Sequence, residues 1–216
     1  MLKQYKAVIF DLDGTLLRSE TGICDSLRYA LRKMGVKEPG PEECRRIIGP
    51  PLGCSFRELF GMDEEQAARA VEYFNEYYQE TGVFEAELYP EVTDLLDRLL
   101  ENNKMIAVAT SKSRPLAEKV FEHFGLSGYL TCAAMNPDHK KDASKADIIR
   151  QVLKECRVSP EEAVMIGDSV YDAEGAGASG TEFIGVLYGY GSGEEMRQAG
   201  GRKFAADIPE LSKMLI

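Results

Sequence analysis

The chain has 216 residues, 44% of them hydrophobic, and a formal net charge of −10. That content supports a packed core, and the length fits one domain with a sizeable insertion or two small ones. The negative balance argues against a nucleic-acid-binding surface and against attraction to anionic membranes, so an anionic substrate must be met by a local positive site.

The five cysteines, Cys24, Cys44, Cys54, Cys132 and Cys156, are odd in number and include no Cys-x-x-Cys pair. Free thiols in a reducing cytoplasm are expected rather than disulfides or zinc. The opening Met-Leu-Lys-Gln-Tyr-Lys lacks an apolar signal region and no run is long enough to span a bilayer. A cytoplasmic location with no membrane partner is therefore expected.

In chain order, the first organising stretch is Val8-Ile9-Phe10-Asp11-Leu12-Asp13-Gly14-Thr15-Leu16. Residues 7–10 read as a short buried strand, since β-branched residues suit a covered pleated surface. It ends in two carboxylates spaced i, i+2, then Gly14, which permits a tight turn, and Thr15. In a regular strand Asp11 and Asp13 would share a face, and two adjacent buried anions need a cation or a proton between them. Taken alone, Asp-x-Asp-Gly reads as a solvated turn. The strand before it and the Thr-Leu after it favour the carboxyl edge of a sheet, where open α/β folds place their chemistry.

Ile23, Leu27, Ala30, Leu31 and Met34 then recur at helical spacing up to Gly35. Pro39-Gly40-Pro41 is a break, residues 42–48 form a shorter helix, and Gly49-Pro50-Pro51-Leu52-Gly53 is a stiff loop. Asp63 with Gln66 is a variant capping box opening a helix with Ala67, Val71, Phe74 and Tyr78 on one face. Residues 18–82 thus read as an all-helical domain inserted into an α/β domain made of residues 1–17 and 83–216. A helix with Val92, Leu95, Leu96, Leu99 and Leu100 follows. The next strand, residues 105–109, ends at Thr110-Ser111-Lys112, before a helix with Leu116, Val120, Phe121 and Phe124 that Gly125 stops. Strands are further expected over 129–133, 163–166 and 183–187, with an edge strand over 203–206 and helices over 144–156 and from Asp207. Strands alternating with helices imply parallel βαβ units and a doubly wound sheet.

Three strand ends carry polar residues directly after an apolar run: Asp11/Asp13, Thr110/Ser111 and Asp168/Asp172. Thr110-Ser111 alone reads as a helix cap, a role compatible with anion binding at a helix N-terminus. Asp168 and Asp172, four apart on a first helical turn, would share a face; capping is the bland reading, yet two acids exceed what one helix end needs. Gly175-Ala176-Gly177-Ala178 gives that helix a thin face for packing on the sheet. Ser144-Lys145-Ala146-Asp147 looks like a capping box that puts Lys145 at the first helical position. A cation there opposes the helix dipole by roughly 0.3–1 kcal/mol, so a nearby anion is needed to explain it. Lys140 and Lys141 compete for that place.

Together, Asp11-x-Asp13-Gly14-Thr15, Thr110-Ser111, Lys145 and Gly167-Asp168-x-x-x-Asp172 resemble, in order and strand context, the four motifs of the haloacid dehalogenase superfamily. The helical insert falls between the first two, as in the branch with an α-helical cap. Residues 184–192, with Gly49-Pro50-Pro51-Leu52, are similar to the phosphoglycolate phosphatase and 5′-nucleotidase-like members. The resemblance implies a Rossmann-like doubly wound parallel sheet and a phosphatase that hydrolyses small phosphate monoesters through an aspartyl-phosphate on Asp11. Asp13 would protonate the leaving oxygen and then activate water. Mg²⁺ would be held by the Asp11 carboxylate, the Asp13 backbone carbonyl and Asp168, with Asp172 acting behind them or through Lys145. Thr110, Ser111 and Lys145 would meet the transferring phosphoryl. Arg45, Gly49 and Lys112 are candidates for substrate contact, and each reads equally well as ordinary surface or packing.

Four clustered aspartates facing one lysine need a divalent cation, and without it like-charge repulsion should raise at least one aspartate pKa. The expected partner is a small phosphorylated metabolite: phosphoglycolate, a nucleoside monophosphate and a sugar phosphate all fit, as do a monomer and a dimer. A phosphosugar mutase is the alternative reading and the harder one to exclude; that family, which this chain also resembles, usually has a histidine just after the first motif, whereas the two histidines here, His123 and His139, lie far downstream. A non-catalytic binding protein is another, disfavoured by the repulsive acid cluster it would not need.

Overall fold

The computed structural model describes residues 4–50, 52–136 and 143–216. Its elements, in order, are β1 (Ala7–Phe10), β2 (Leu17–Arg18), α1 (Glu20–Lys33), α2 (Pro41–Arg46), α3 (Leu52–Phe60), α4 (Glu64–Glu80), β3 (Glu87–Leu88), α5 (Val92–Glu101), β4 (Met105–Ser113), α6 (Arg114–His123), β5 (Cys132–Asn136), α7 (Lys145–Cys156), β6 (Ala163–Gly167), α8 (Val170–Ser179), β7 (Glu182–Val186), α9 (Gly193–Gln198), β8 (Lys203–Ala205) and α10 (Ile208–Leu215). The chain divides into two compact units, one spanning Arg18–Glu87 and the other formed by the residues before and after it.

The helical unit packs α1 on α4. Asp63 caps α4, its Oδ1 accepting from Gln66 N–H at 2.8 Å while Gln66 Oε1 accepts from Asp63 N–H at 3.1 Å. The division falls after Glu87 rather than at residue 82, because the turn at Gly82–Phe84 is tied to α1. Gly22 N–H donates to the Glu85 carbonyl at 3.0 Å. A Cβ on Gly22 would lie 1.9 Å from the Gly82 carbonyl oxygen, so only glycine lets the backbones meet.

In the other unit, six strands form one sheet in the order β5-β4-β1-β6-β7-β8, parallel throughout. The chain winds outward from β1 through β4 to β5, then returns beside β1 and winds outward the other way. β1 and β6 therefore flank the point where strand order reverses, and the crevice outside their carboxyl ends is where such sheets bind ligands. Phe10 is level with Val108 on β4 and Ile166 on β6, so three strands reach one rim together. Ala7, Ile9, Ala107, Ala109, Ala163 and Met165 pack in one core with Ile148, Ile149, Val152 and Leu153 of α7 and Ala173 and Ala176 of α8. Side chains alternate along a strand, so Asp11, two beyond Ile9, is aimed at the α7 and α8 face.

Several local expectations give way. The strand expected over 129–133 is β5, three residues later, because Leu126–Gly128 forms a 3₁₀ turn first. β4 runs on to Ser113 with a register shift between Thr110 and Ser113. Ser113, not Thr110 or Ser111, is the N-cap of α6. Leu100 is 42% exposed, since the last turn of α5 rotates it off the buried stripe. All five cysteines are free. No helix among the described residues is long and apolar enough to cross a membrane.

Candidate active site

Asp11 follows the last residue of β1, and its N–H donates to the Ile166 carbonyl at 2.8 Å, which fixes it beside the end of β6. The strand stops at Phe10 and the chain turns: Thr15, Leu16 and Leu17 N–H all donate to the Leu12 carbonyl, with Gly14 at φ +86. The two acids therefore do not share one regular strand face. Lys145 Nζ lies 2.6 Å from Asp11 Oδ1 and 2.8 Å from Asp172 Oδ1. Asp13 has a different cation, Lys112 Nζ, 3.0 Å from its Oδ2. Asp13 Oδ1 is buried with no hydrogen-bond partner among the described residues.

Ser144 caps α7, its Oγ accepting from Asp147 N–H at 3.2 Å, and so places Lys145 at the first helical position. Gly175 makes room for it: a Cβ there would lie 2.8 Å from Lys145 Cβ and Cγ. The thin face expected on α8 thus divides. Ala173 and Ala176 enter the core, Gly175 faces α7 and Gly177 faces open space.

The N-cap of α8 is Ser169, in a capping box with Asp172. Asp172 Oδ2 accepts from Ser169 N–H at 3.1 Å and Oγ at 2.6 Å, leaving Oδ1 for Lys145. Asp168 does not cap the helix. Its Oδ2 accepts from Tyr190 N–H at 2.7 Å and Gly191 N–H at 3.2 Å, donors in the loop after β7, a stretch that the sequence resemblance includes but to which it gives no role at the site. Their signal was the Tyr188-Gly189-Tyr190-Gly191 spacing directly after a strand, since backbone that must approach an acid closely needs glycine.

Thr110 is buried on β4, its Oγ1 accepting from Lys112 N–H at 3.1 Å, while Ser111 is exposed. Arg45 and Gly49 belong to the helical unit: Arg45 Nε donates to Glu20 Oε1 at 2.8 Å, and Gly49 is exposed with φ +104. Lys140, Lys141 and Pro51 lie outside the described residues.

Burial pushes the Asp11 carboxyl up to about 8, with Lys145 opposing and Asp172 and Asp168 adding to the rise. Burial likewise pushes Asp168 up to about 7, reinforced by Asp172 and opposed by its two backbone donors. Like-charge repulsion is thus real but secondary to desolvation. Burial works against the Lys145 ammonium, yet Asp11 and Asp172 outweigh it and hold the pKa above the ordinary lysine value.

Carboxylate oxygens of Asp11, Asp168 and Asp172 all lie within 4.8 Å of one another. Such an all-oxygen donor set suits a hard divalent cation. The four aspartates face two ammoniums, and the two residual negative charges are what a divalent ion neutralises. These residues can hold a metal ion; the Asp13 carboxylate, engaged by Lys112, is not among the three.

Residues 8–186 match the model of the family described as haloacid dehalogenase-like hydrolase. The chain belongs to this family. A 5′-nucleotidase of Pseudomonas aeruginosa is 32% identical to this haloacid dehalogenase-like hydrolase over 98% of the chain and 96% of its own length. Tyrosine-protein kinase PtkA of Mycobacterium tuberculosis is 34% identical over 96% of the chain and 72% of its own length. A phosphoglycolate phosphatase of Aquifex aeolicus is 26% identical over 86% of each. Among solved structures, a predicted phosphatase from Clostridium acetobutylicum superposes with TM-score 0.92 at 36% identity, covering 97% of both chains. The chain is thus an enzyme of the hydrolase class with phosphatase-named relatives over nearly its full length, and the doubly wound sheet is the fold of that family.

Proposed function

We propose that this hydrolase cleaves small phosphate monoesters in two displacements at Asp11. The observation that carries the reading is the separation of two neighbouring carboxylates by their cations: Asp11 on Lys145 at 2.6 Å, Asp13 on Lys112 at 3.0 Å. Separate pairing supports giving attack to one acid, Asp11, and proton transfer to the other, Asp13, the division of labour that two-step hydrolysis requires. Asp11 attacks phosphorus and the ester oxygen leaves with a proton from Asp13. Asp13 then takes a proton from water as that water attacks the aspartyl-phosphate and frees Asp11. Lys145 stabilises charge on the phosphoryl oxygens, with Thr110 and Ser111 as further contacts. Lys112 meets the leaving oxygen beside Asp13, and Arg45 and Gly49 are proposed substrate contacts of the helical unit.

Asp11, Asp168 and Asp172, with the Asp13 backbone carbonyl, would hold Mg²⁺, which when bound neutralises phosphoryl charge. For substrate, the 5′-nucleotidase and phosphoglycolate phosphatase relatives favour a nucleoside monophosphate or phosphoglycolate, and the five free thiols favour the reducing cytoplasm as the setting. A second reading comes from the PtkA likeness: the same aspartyl-phosphate passing to a tyrosine hydroxyl instead of water.

A phosphatase panel with Mg²⁺ and with chelator tests the first reading. Turnover that depends on Mg²⁺ and disappears in Asp11→Asn supports it. Turnover that survives either change refutes it, and phosphate appearing on a tyrosine acceptor rather than in solution favours the second.

A further inference from the structure

The loop after β7, Leu187-Tyr188-Gly189-Tyr190-Gly191-Ser192, bears on more than Asp168. Gly189 sits where a Cβ would lie 2.3 Å from Asp168 Cβ and 2.5 Å from the Gly14 carbonyl oxygen, so the loop is wedged between both. The half-buried Tyr188 donates its hydroxyl to the Thr15 carbonyl at 3.1 Å, across 173 residues of sequence. Its ring packs on the buried Tyr89, centroids 4.7 Å apart, and Tyr89 N–H donates to the Leu16 carbonyl at 3.1 Å.

The turn that carries Asp13 is closed on itself. Thr15, Leu16 and Leu17 N–H converge on the Leu12 carbonyl at 3.3, 3.0 and 2.9 Å, and Gly14 N–H reaches the Leu17 carbonyl at 2.8 Å. Such a unit shifts as one body, so an outside hydrogen bond to its Thr15 carbonyl sets where Asp13 stands. Thr15 Oγ1 also faces Asp168 Oδ1 at the end of β6, but at 3.5 Å, beyond the range of a good hydrogen bond.

We propose that Tyr188 is a positioning residue for proton transfer by Asp13: its phenol, donating to Thr15, keeps the Asp13 turn in register with the loop that holds Asp168. The proposal rests on Asp13 acting on the leaving oxygen, as set out above. A proton donor must come within about 2.6–3.2 Å of its target, and a displacement of about 1 Å can cost 10²-fold.

Tyr188→Phe removes only the donor and keeps the ring contact with Tyr89. Protonation matters most for a poor leaving group, and kcat/KM reports only the first displacement, so the readout is kcat/KM on an alkyl phosphate, glycerol phosphate, relative to kcat/KM on p-nitrophenyl phosphate. That ratio is expected to fall about tenfold or more, with kcat/KM for p-nitrophenyl phosphate within about threefold of wild type. The Mg²⁺-induced rise in Tm should persist, because Asp168 keeps its two backbone donors, and it shows that the variant is folded. Equal losses of kcat/KM on both substrates in this folded variant, or no loss on either, overturn the proposal. Asp13→Asn is run alongside. A ratio unchanged there refutes Asp13 as the proton donor, and the Tyr188 role with it. A ratio lowered there but not in Tyr188→Phe refutes Tyr188 alone.

Discussion

Lys145 Nζ and Asp11 Oδ1 are 2.6 Å apart, and the same ammonium is 2.8 Å from Asp172 Oδ1. A cation in the first turn of α7 opposes the helix dipole. Two buried carboxylates from different elements more than offset that cost, which is why a lysine is tolerated there. Without it, Asp11, Asp168 and Asp172 would face one another with no cation inside their cluster.

Lys145→Met is accordingly expected to lower kcat/KM for phosphomonoesters by about 10²-fold or more, the usual scale for losing a charged stabiliser of the transition state. Lys145→Arg should rescue little, since a planar guanidinium does not fit a space shaped around a single ammonium between two acids. Steady-state kinetics decide, and a loss under threefold in Lys145→Met would remove the residue from catalysis.

The raised carboxyl pKa values make metal-free stability fall as pH rises. Asp11 at about 8 and Asp168 at about 7 sit above the unfolded value near 3.8, so between these limits the folded state binds more protons than the unfolded state. Stability from these groups is present in full below about pH 4 and is lost as pH climbs through 7 to 8, a few kcal/mol at most given their coupling. A divalent ion competes with those protons. The Mg²⁺-induced rise in Tm should therefore be larger at pH 8 than at pH 5.5, as thermal melts with Mg²⁺ and with chelator would report. An equal rise at both values would contradict the proposed ligand set.

Two glycines on α8 should respond oppositely to alanine. At Gly177 a Cβ meets nothing within 4 Å, so Gly177→Ala should gain helix propensity of about 1 kcal/mol, or roughly 2–4 °C in Tm, with activity unchanged. At Gly175 the Cβ would lie 2.8 Å from Lys145 Cβ and 3.2 Å from Ala146 N, so the start of α7 must shift. Gly175→Ala should cost about tenfold in kcat or more, because Lys145 moves relative to Asp11. Similar behaviour of the two variants would mean that α7 does not depend on this close approach.

The leaving-group residues separate on a substrate panel. Lys112, 7% exposed in its side chain and paired with Asp13, would on the proposed mechanism serve an oxygen common to every phosphomonoester. Lys112→Ala should therefore slow all substrates by a similar factor of about ten or more. Arg45, 63% exposed in its side chain and paired with Glu20, contributes less than about 1 kcal/mol to stability, so Arg45→Ala should leave Tm nearly unchanged. Its losses should differ between nucleoside monophosphates and phosphoglycolate. A uniform loss would remove Arg45 as a specificity residue.

The sequence by itself determined the architecture and the set of chemical groups. Apolar runs ending abruptly in Asp11, Thr110 and Asp168 could be read because a parallel sheet aligns its carboxyl ends, and alternation of strand and helix forces that sheet. Lys145 stood out because its position is locally unfavourable. What only the tertiary structure decided is which groups pair. That Asp13 belongs to Lys112, that Ser169 rather than Asp168 caps α8, and that Tyr190 and Gly191 hold Asp168 all depend on loops whose course periodicity does not encode. The reason is physical: strand and helix patterns repeat over a few residues, whereas Tyr190 reaches Asp168 over 22 residues and Tyr188 reaches Thr15 over 173, and the Asp13–Lys112 pair joins the β1 and β4 ends, so these contacts arise only when the β1, β4, β6 and β7 ends are brought to one rim.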